Sequence, residues 1–323
     1  MFFTREGLEQ ASSELVARHR AGRVAPGRVV DLCCGIGGDL LALGDGRETC
    51  GVDRDPVHAA MAARNASVYG VAAAARVEDV RDTDLSAADA VFVDPARRDE
   101  HGRAHGRSEP PLDWCFGLAD RVAQVTVKAA PGLDRSAVPA GWETEFVAVG
   151  RDLKEAVLWS PAYATTASRA TVLPGGHTLV PCDGPPVATA PPAAYLLDPS
   201  PAVTRAGAVE ELARVLGACK IDDRIAFLTT DRPVRTPFGR CLRVLESMPW
   251  RLRDIKAAVR RYEVGALDVR RRGLAGDVAA IRRRLPLAGP TRAVLVMTRV
   301  SDRPWALLCL PDDGGRAEWA GDG

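Results

Sequence analysis

Residues 29–43, VVDLCCGIGGDLLAL, constrain this 323-residue chain more than any other stretch. The apolar run from Val29 to Cys33 holds the acid Asp31, three glycines follow within four residues, and Asp39 opens a second apolar segment. That succession reads as a strand, a tight loop and the start of a helix. Gly35, Gly37 and Gly38 free the backbone for positive φ and leave room for a ligand against main-chain N–H groups at an electropositive helix start. An anionic or zwitterionic group is expected there.

The spacing separates two cofactor classes. A dinucleotide fingerprint needs G-x-G-x-x-G, but counting from Gly35 gives Gly37 and then Leu40, so the third glycine is missing. Residues 49–52 read as a second strand ending at Asp53, whose carboxylate suits both hydroxyls of a ribose. Residues 77–80 close a third strand with Asp79, and residues 90–93 form a fourth that ends at Asp94. The pattern Asp31-x-x-x-Gly35-x-Gly37, with acids at the three following strand ends, resembles class I S-adenosylmethionine-dependent methyltransferases. The resemblance implies a Rossmann-like α/β sheet with Asp31, Gly35, Gly37 and Asp39 at the methionine end of the cofactor, Asp53 at its ribose and Asp79 at its adenine. Residues 53–71, DRDPVHAAMAARNASVYGV, read as a helix from Pro56 to Tyr69 stopped by Gly70. This text is similar to RNA-modifying methyltransferases, notably the cap trimethylguanosine synthase group. Asn65 and Tyr69 are read as packing and hydrogen bonding at the helix end.

The fourth strand leads into Asp94-Pro95-Ala96-Arg97. Enzymes that methylate exocyclic amines of bases carry an acid or amide, two prolines and an aromatic ring here, and the second proline and the ring are missing. The related D-P-P-R form of uridine-C5 methyltransferases needs a cysteine beyond the fifth strand, where this chain has Lys128. Direct in-line transfer is therefore expected, with Asp94 positioning the acceptor, Arg97 and Arg98 either holding an anionic substrate group or forming a solvated loop, and Lys128 giving a second polar contact. Arg98, His101 and His105 lie in the polar loop that follows.

The formal charge is only +1, but residues 193–323 carry +7 and the remainder −6. The eight cysteines form no C-x-x-C pair and no metal-ligand spacing, and no apolar run has membrane length. The chain reads as cytoplasmic and reduced, with no metal and no membrane partner.

Thr4 is expected to cap a single helix reaching Gly22, with Leu8, Ala11 and Leu15 on its packed face; alternatively Phe2, Phe3 and Thr4 cover the cofactor. Residues 142–149 and 153–159 read as the last two strands of the sheet, antiparallel, with a domain boundary between 160 and 199, a stretch that holds one possible strand around 170–173. Beyond it a helix over 203–216, strands at 225–229, 240–246 and 265–269, helices over 252–262 and 276–285, and a hairpin over 293–310 form an α+β domain. The expected division is an N-terminal helix, 1–24, a catalytic domain, 25–180, and a smaller α+β domain, 193–323. Residues 251–292 hold a net charge of +8, with arginine triplets at 270–272 and 282–284, which suits either RNA phosphates or plain solvation.

FFTREGLEQAS, CCGIGGDLLAL, DPARR, VKAAPGLD, RDLKEAVLW, YLLDPSPAVTRAG and ALDVRRRG together resemble bacterial class I methyltransferases with a C-terminal THUMP-like domain. The resemblance implies S-adenosylmethionine as cofactor and tRNA or rRNA as substrate. Members of that group tend to carry extra residues before the first helix, so the start at Met1 is expected to bear on substrate capture more than on cofactor binding. The alternatives are a small-molecule or protein methyltransferase, or a catalytically silent RNA-binding module that responds to the cofactor.

Overall fold

The computed structural model describes residues 1–96 and 108–311. The chain divides into two compact units, Met1–Thr178 and Leu179–Gly323.

The first unit begins with α1 (Arg5–Gln10) and α2 (Glu14–Ala21), then runs β1 (Arg28–Leu32), α3 (Gly38–Leu43), β2 (Glu48–Asp53), α4 (Pro56–Tyr69), β3 (Ala73–Val77) and β4 (Ala90–Val93). It continues through α5 (Leu112–Gly117), β5 (Gln124–Ala129), β6 (Glu143–Val149), β7 (Asp152–Trp159), β8 (Ser168–Leu173) and β9 (His177–Leu179). Nine strands form one sheet in the order β3-β2-β1-β4-β5-β7-β6-β8-β9. β1 to β5 pair in parallel and β7 lies antiparallel to both β5 and β6. The strand order reverses between β1 and β4, and such a reversal opens a crevice at the carboxyl ends of the strands. This is the Rossmann-like sheet expected from the sequence.

Three expectations about this unit are corrected. β3 ends at Val77, so that Asp79 lies beyond the strand. The N-terminal helix is two helices, because Ser12 and Ser13 break it, and Ser12 Oγ instead donates to Asp39 at 2.9 Å. Leu8 and Leu15 stay largely exposed; the buried face is Val16, Ala17, Arg20 and Ala21. The sheet also does not stop at β7, since β8 pairs with β6 in parallel through six residues and β9 follows. The helix over 56–69 matches its reading: the Asp55 carboxylate accepts from the N–H groups of Val57 and His58, Pro56 takes the first turn, and Gly70 ends it.

The core on one face of this sheet gathers Val29, Ala90, Phe92, Val147, Val157 and Trp159 with Val16, Val24 and Leu43 from the elements above. Beside it lies a buried polar network. Glu143 and Glu145 of β6 take Arg23, Arg169, His19, Thr171 and the indole N–H of Trp159.

The second unit contains β10 (Tyr195–Pro199), α6 (Pro201–Ala206), α7 (Val209–Leu216), β11 (Cys219–Lys220), β12 (Leu228–Thr230), β13 (Gly239–Pro249), α8 (Leu252–Arg261), β14 (Val264–Arg271), α9 (Val278–Arg283), β15 (Thr291–Val300) and β16 (Arg303–Pro311). Its sheet runs β11-β12-β10-β13-β16-β15-β14, antiparallel except for the β14–β15 pair. The expected helix over 203–216 is split at Gly207, and the expected strand at 225–229 is confined to residues 228–230. α8 buries Ile255, Ala258 and Val259 at helical spacing, and Ile281 and Leu285 join the same cluster. Among the described residues no helix is long and apolar enough to cross a membrane.

Candidate functional site

The strands of the first unit turn from apolar to charged on one face as they approach the crevice. Side chains two apart on a strand share a face. Val29 is therefore followed by Asp31 on β1, and Ala90 and Phe92 lead to Asp94 just past β4. Glu155 precedes Val157 and Trp159 on the antiparallel β7, and Lys128 ends the inward row of β5. The same rows that build the core thus deliver three acids and a lysine to a cavity of about 1060 Å³.

Its glycine loop is shaped by two constraints. Gly35 and Gly37 hold φ of +53° and +87°. A Cβ on Gly37 would also stand 3.1 Å from the Cα of Ala62, so α3 and α4 approach through the absence of a side chain. The carboxylate of Asp53 braces the loop, accepting from the N–H of Gly35 at 2.8 Å and of Asp55 at 2.9 Å. Asn65 is fully buried and ties the loop to the N-terminus: its amide donates to the carbonyls of Ile36 and Phe2, and its oxygen accepts from the Phe2 N–H. The rings of Phe2 and Phe3 stay about half exposed, while Gly7, Glu9, Ser12 and Ser13 line the cavity.

At the inner end, acids outnumber cations. Lys128 Nζ donates to Asp94 Oδ2 at 2.5 Å, and both groups are largely removed from solvent. The Arg20 guanidinium, 1% exposed, pairs through its two terminal nitrogens with Asp39 and Glu155, and receives support from Ser12 Oγ at 2.7 Å. Burial works against the charge of Asp39, but Arg20, Lys128 and Ser12 together hold its carboxyl below the usual range. Burial pushes Asp94 up, with Lys128 opposing and Asp39 adding to the rise. Asp31 has zero exposure, and neither carboxylate oxygen has a hydrogen-bond partner. Burial pushes it well above the ordinary carboxylate range, and Asp39, Asp94 and Asp53 add to the shift. Cys33 also lines the cavity, with burial raising its thiol so that no thiolate forms near neutral pH.

At the mouth, Asp79 accepts from the backbone of Arg81 at 2.9 Å, and the Arg81 guanidinium pairs with Glu109. Glu109 is joined to Ala96 by two backbone hydrogen bonds. Arg97, Arg98, His101 and His105 lie outside the described residues. The cavity brings together Asp31, Gly35, Asp39, Asp53, Asp79, Asp94 and Lys128; Gly37 acts one step behind, through its contact with Ala62. Arg20, Ser12, Glu155 and Glu109 were missed by the sequence reading. Only Arg20 carried a signal, as a cation on the helix face that otherwise reads Val16, Ala17 and Ala21. Among the described residues, no group of three or more His, Cys, Asp or Glu side chains is placed to hold a metal ion.

Residues 239–311 match the family model described as THUMP domain-like, and residues 27–90 match that of RNA cap guanine-N2 methyltransferase. Two proteins of Mycobacterium tuberculosis, from strains CDC 1551 and H37Rv, are each 36% identical over 307 residues, covering 92% of this chain and 84% of the relative. Both are named uncharacterised S-adenosylmethionine-dependent methyltransferases. A crystal structure from Porphyromonas gingivalis W83, titled as a methyltransferase, superimposes with a TM-score of 0.76 at 21% identity, over 96% of this chain and 83% of the other. That likeness establishes a common fold.

The residues present fit such a cofactor on two counts. A buried carboxylate without a partner, Asp31, and an excess of acids suit a ligand bearing an ammonium and a sulfonium. The space above Gly35, where an added Cβ would meet nothing within 4 Å, leaves the backbone open to close approach. With a strand order that places these groups at the reversal point and a relative matched across nine-tenths of the chain, the protein belongs to the S-adenosylmethionine-dependent methyltransferases, in a group that couples this sheet to a THUMP-like domain.

Proposed function

We propose that the protein methylates a base of tRNA or rRNA by direct in-line transfer. The observation that carries the RNA reading is that family models with RNA-directed or THUMP-like descriptions match stretches of both units, residues 27–90 and 239–311. A second support comes from α8 and α9 with their capping residues, which carry Arg251, Arg253, Arg260 and Arg261, and Arg282, Arg283 and Arg284, all exposed. Such a surface neutralises phosphates without reading sequence.

In this reading Asp31, Gly35, Gly37 and Asp39 serve the methionine end of the cofactor, Asp53 the ribose and Asp79 the adenine. When bound, S-adenosylmethionine supplies a methyl group already activated by its sulfonium. The protein's task is then to orient an acceptor and take its proton. Asp94 accepts a hydrogen bond from the acceptor's N–H or O–H, and its burial-raised basicity suits it to receive that proton. Lys128 holds the Asp94 carboxylate from the other side at 2.5 Å and fixes its direction. Arg97 is assigned to an anionic group of the substrate. The raised Cys33 thiol and the lack of a cysteine at the end of β5, where Lys128 stands, both disfavour a covalent route.

The test is transfer of radiolabelled methyl from S-adenosylmethionine into fractionated RNA, protein and small molecules from a strain lacking the gene. Label in one RNA class supports the proposal, and nuclease digestion then names the base. Label confined to protein or small molecules, or RNA binding without label, overturns it.

A further inference from the structure

Five carboxylates crowd the inner wall of the cavity, and four of them have fixed partners, Glu155 of β7 pairing with Arg20. Asp53 on β2 takes two backbone N–H groups, Asp39 on α3 takes Arg20 and Ser12, and Asp94 beyond β4 takes Lys128 of β5. Asp31 on β1 has none, although it is wholly buried and lines the same cavity. Arg20 of α2 is a cation that favours its charge, but both terminal nitrogens of Arg20 are placed on Asp39 and Glu155. Its own strand end contributes only the thiols of Cys33 and Cys34. An ionised carboxylate in such surroundings has no accessible surface and no hydrogen-bonded counter-charge, and a group so placed neutralises instead.

We propose that Asp31 is protonated in the cofactor-free protein and that S-adenosylmethionine expels this proton to solvent on binding, so that one carboxyl group sets the preference for the sulfonium cofactor over its product. The inference rests on the placement of Asp31 at the cofactor's cationic end. The balance is simple: the carboxylic acid becomes a carboxylate, and the proton passes to buffer. The cofactor brings an ammonium and a sulfonium, whereas S-adenosylhomocysteine keeps the ammonium and has a neutral sulfur. Methyl transfer therefore removes one positive charge from beside Asp31, which favours return of the proton and loosens the product.

Titration calorimetry of the full chain at pH 7 in phosphate and in Tris, whose ionisation heats differ, counts the protons. Close to one proton is expected to leave per S-adenosylmethionine bound, and fewer per S-adenosylhomocysteine. Affinity for the cofactor should rise with pH by up to about tenfold per unit while Asp31 is protonated in the free protein. Asp31→Asn should abolish the release, flatten the pH dependence and narrow the preference for cofactor over product. Asp94→Asn, which alters an acid with a fixed partner, should keep the release. Asp31→Asn is expected to fold: ionisation of an unpartnered buried acid opposes folding as pH rises, so its thermal midpoint at pH 8 should equal or exceed that of the native protein. Heats independent of buffer in the native protein, or a proton release that persists in Asp31→Asn, overturn the inference. Native affinity of Asp31→Asn at every pH instead overturns the placement of Asp31 at the cofactor.

Discussion

Asp53 and Asp94 occupy corresponding positions at the ends of β2 and β4, the strands on either side of β1, yet their partners give them different work. Asp53 faces its own glycine loop and holds the Gly35 N–H, so its loss removes both a cofactor contact and the brace of the loop. Asp53→Ala is expected to weaken S-adenosylmethionine binding at least about tenfold by calorimetry, about 1.4 kcal/mol, the scale of one charge-assisted hydrogen bond. Asp94 faces Lys128 and the acceptor. Asp94→Ala should leave cofactor affinity within about threefold while lowering turnover by about two to three orders of magnitude, the range for loss of a positioned acid or base. Unchanged cofactor affinity in the first variant, or retained turnover in the second, removes the role assigned to that residue. The acids were legible because each ends an apolar run. The partner that fixes Asp39 was not, since Arg20 sits in a helix whose register depends on the break at Ser12 and Ser13.

At the scale of elements, a second buried charge cluster lies outside the cavity, in the β6 network. Burial opposes the charge of Glu145, but hydrogen bonds from His19 and Thr171 and the charge of Arg23 bring its carboxyl down to about 2. A carboxyl depressed from an ordinary value near 4.5 contributes stability above that ordinary value and loses it as pH falls through about 2. The shift corresponds to about 3 kcal/mol. Urea unfolding of Glu145→Gln should accordingly show lower stability at pH 7 and a shallower decline between pH 4.5 and 2; an acid limb as steep as that of the native protein counts against the assignment. Element types were read well where periodicity and caps agree, as in α4 with Asp55, Pro56 and Gly70. β8 was noticed only as an isolated strand, because its parallel pairing with β6 depends on a residue separation that no local pattern records. The split of 201–216 into α6 and α7 turns on the left-handed conformation of Gly207, which sits inside an otherwise helical apolar pattern.

Across the whole molecule, charge is partitioned between the units: acids concentrate around the cavity of the first, and arginines on the helices of the second. The THUMP-like region was legible only through its combined motifs, since its α+β pattern has no repeat and no catalytic cluster of its own. If α9 meets RNA phosphates, replacing Arg282, Arg283 and Arg284 by serine should weaken RNA binding evenly across sequences. The slope of log affinity against log salt should become shallower by up to about 0.9 for each phosphate that these arginines neutralise on a duplex, and by less on single strands. Cofactor affinity should not move, and an unaltered salt slope would assign these arginines to solvation alone.

The two strands added beyond β6 have a further consequence. A sheet that ended at β6 would present a seven-residue ladder, buried on its faces and unpaired along its margin, to any other extended chain. β8 occupies that margin and β9 succeeds it with three residues, while the opposite margin, β3, carries the exposed charge of Arg76. Growth of the sheet by recruiting a foreign strand is thereby discouraged at both ends, and removal of β8 is expected to promote self-association through β6.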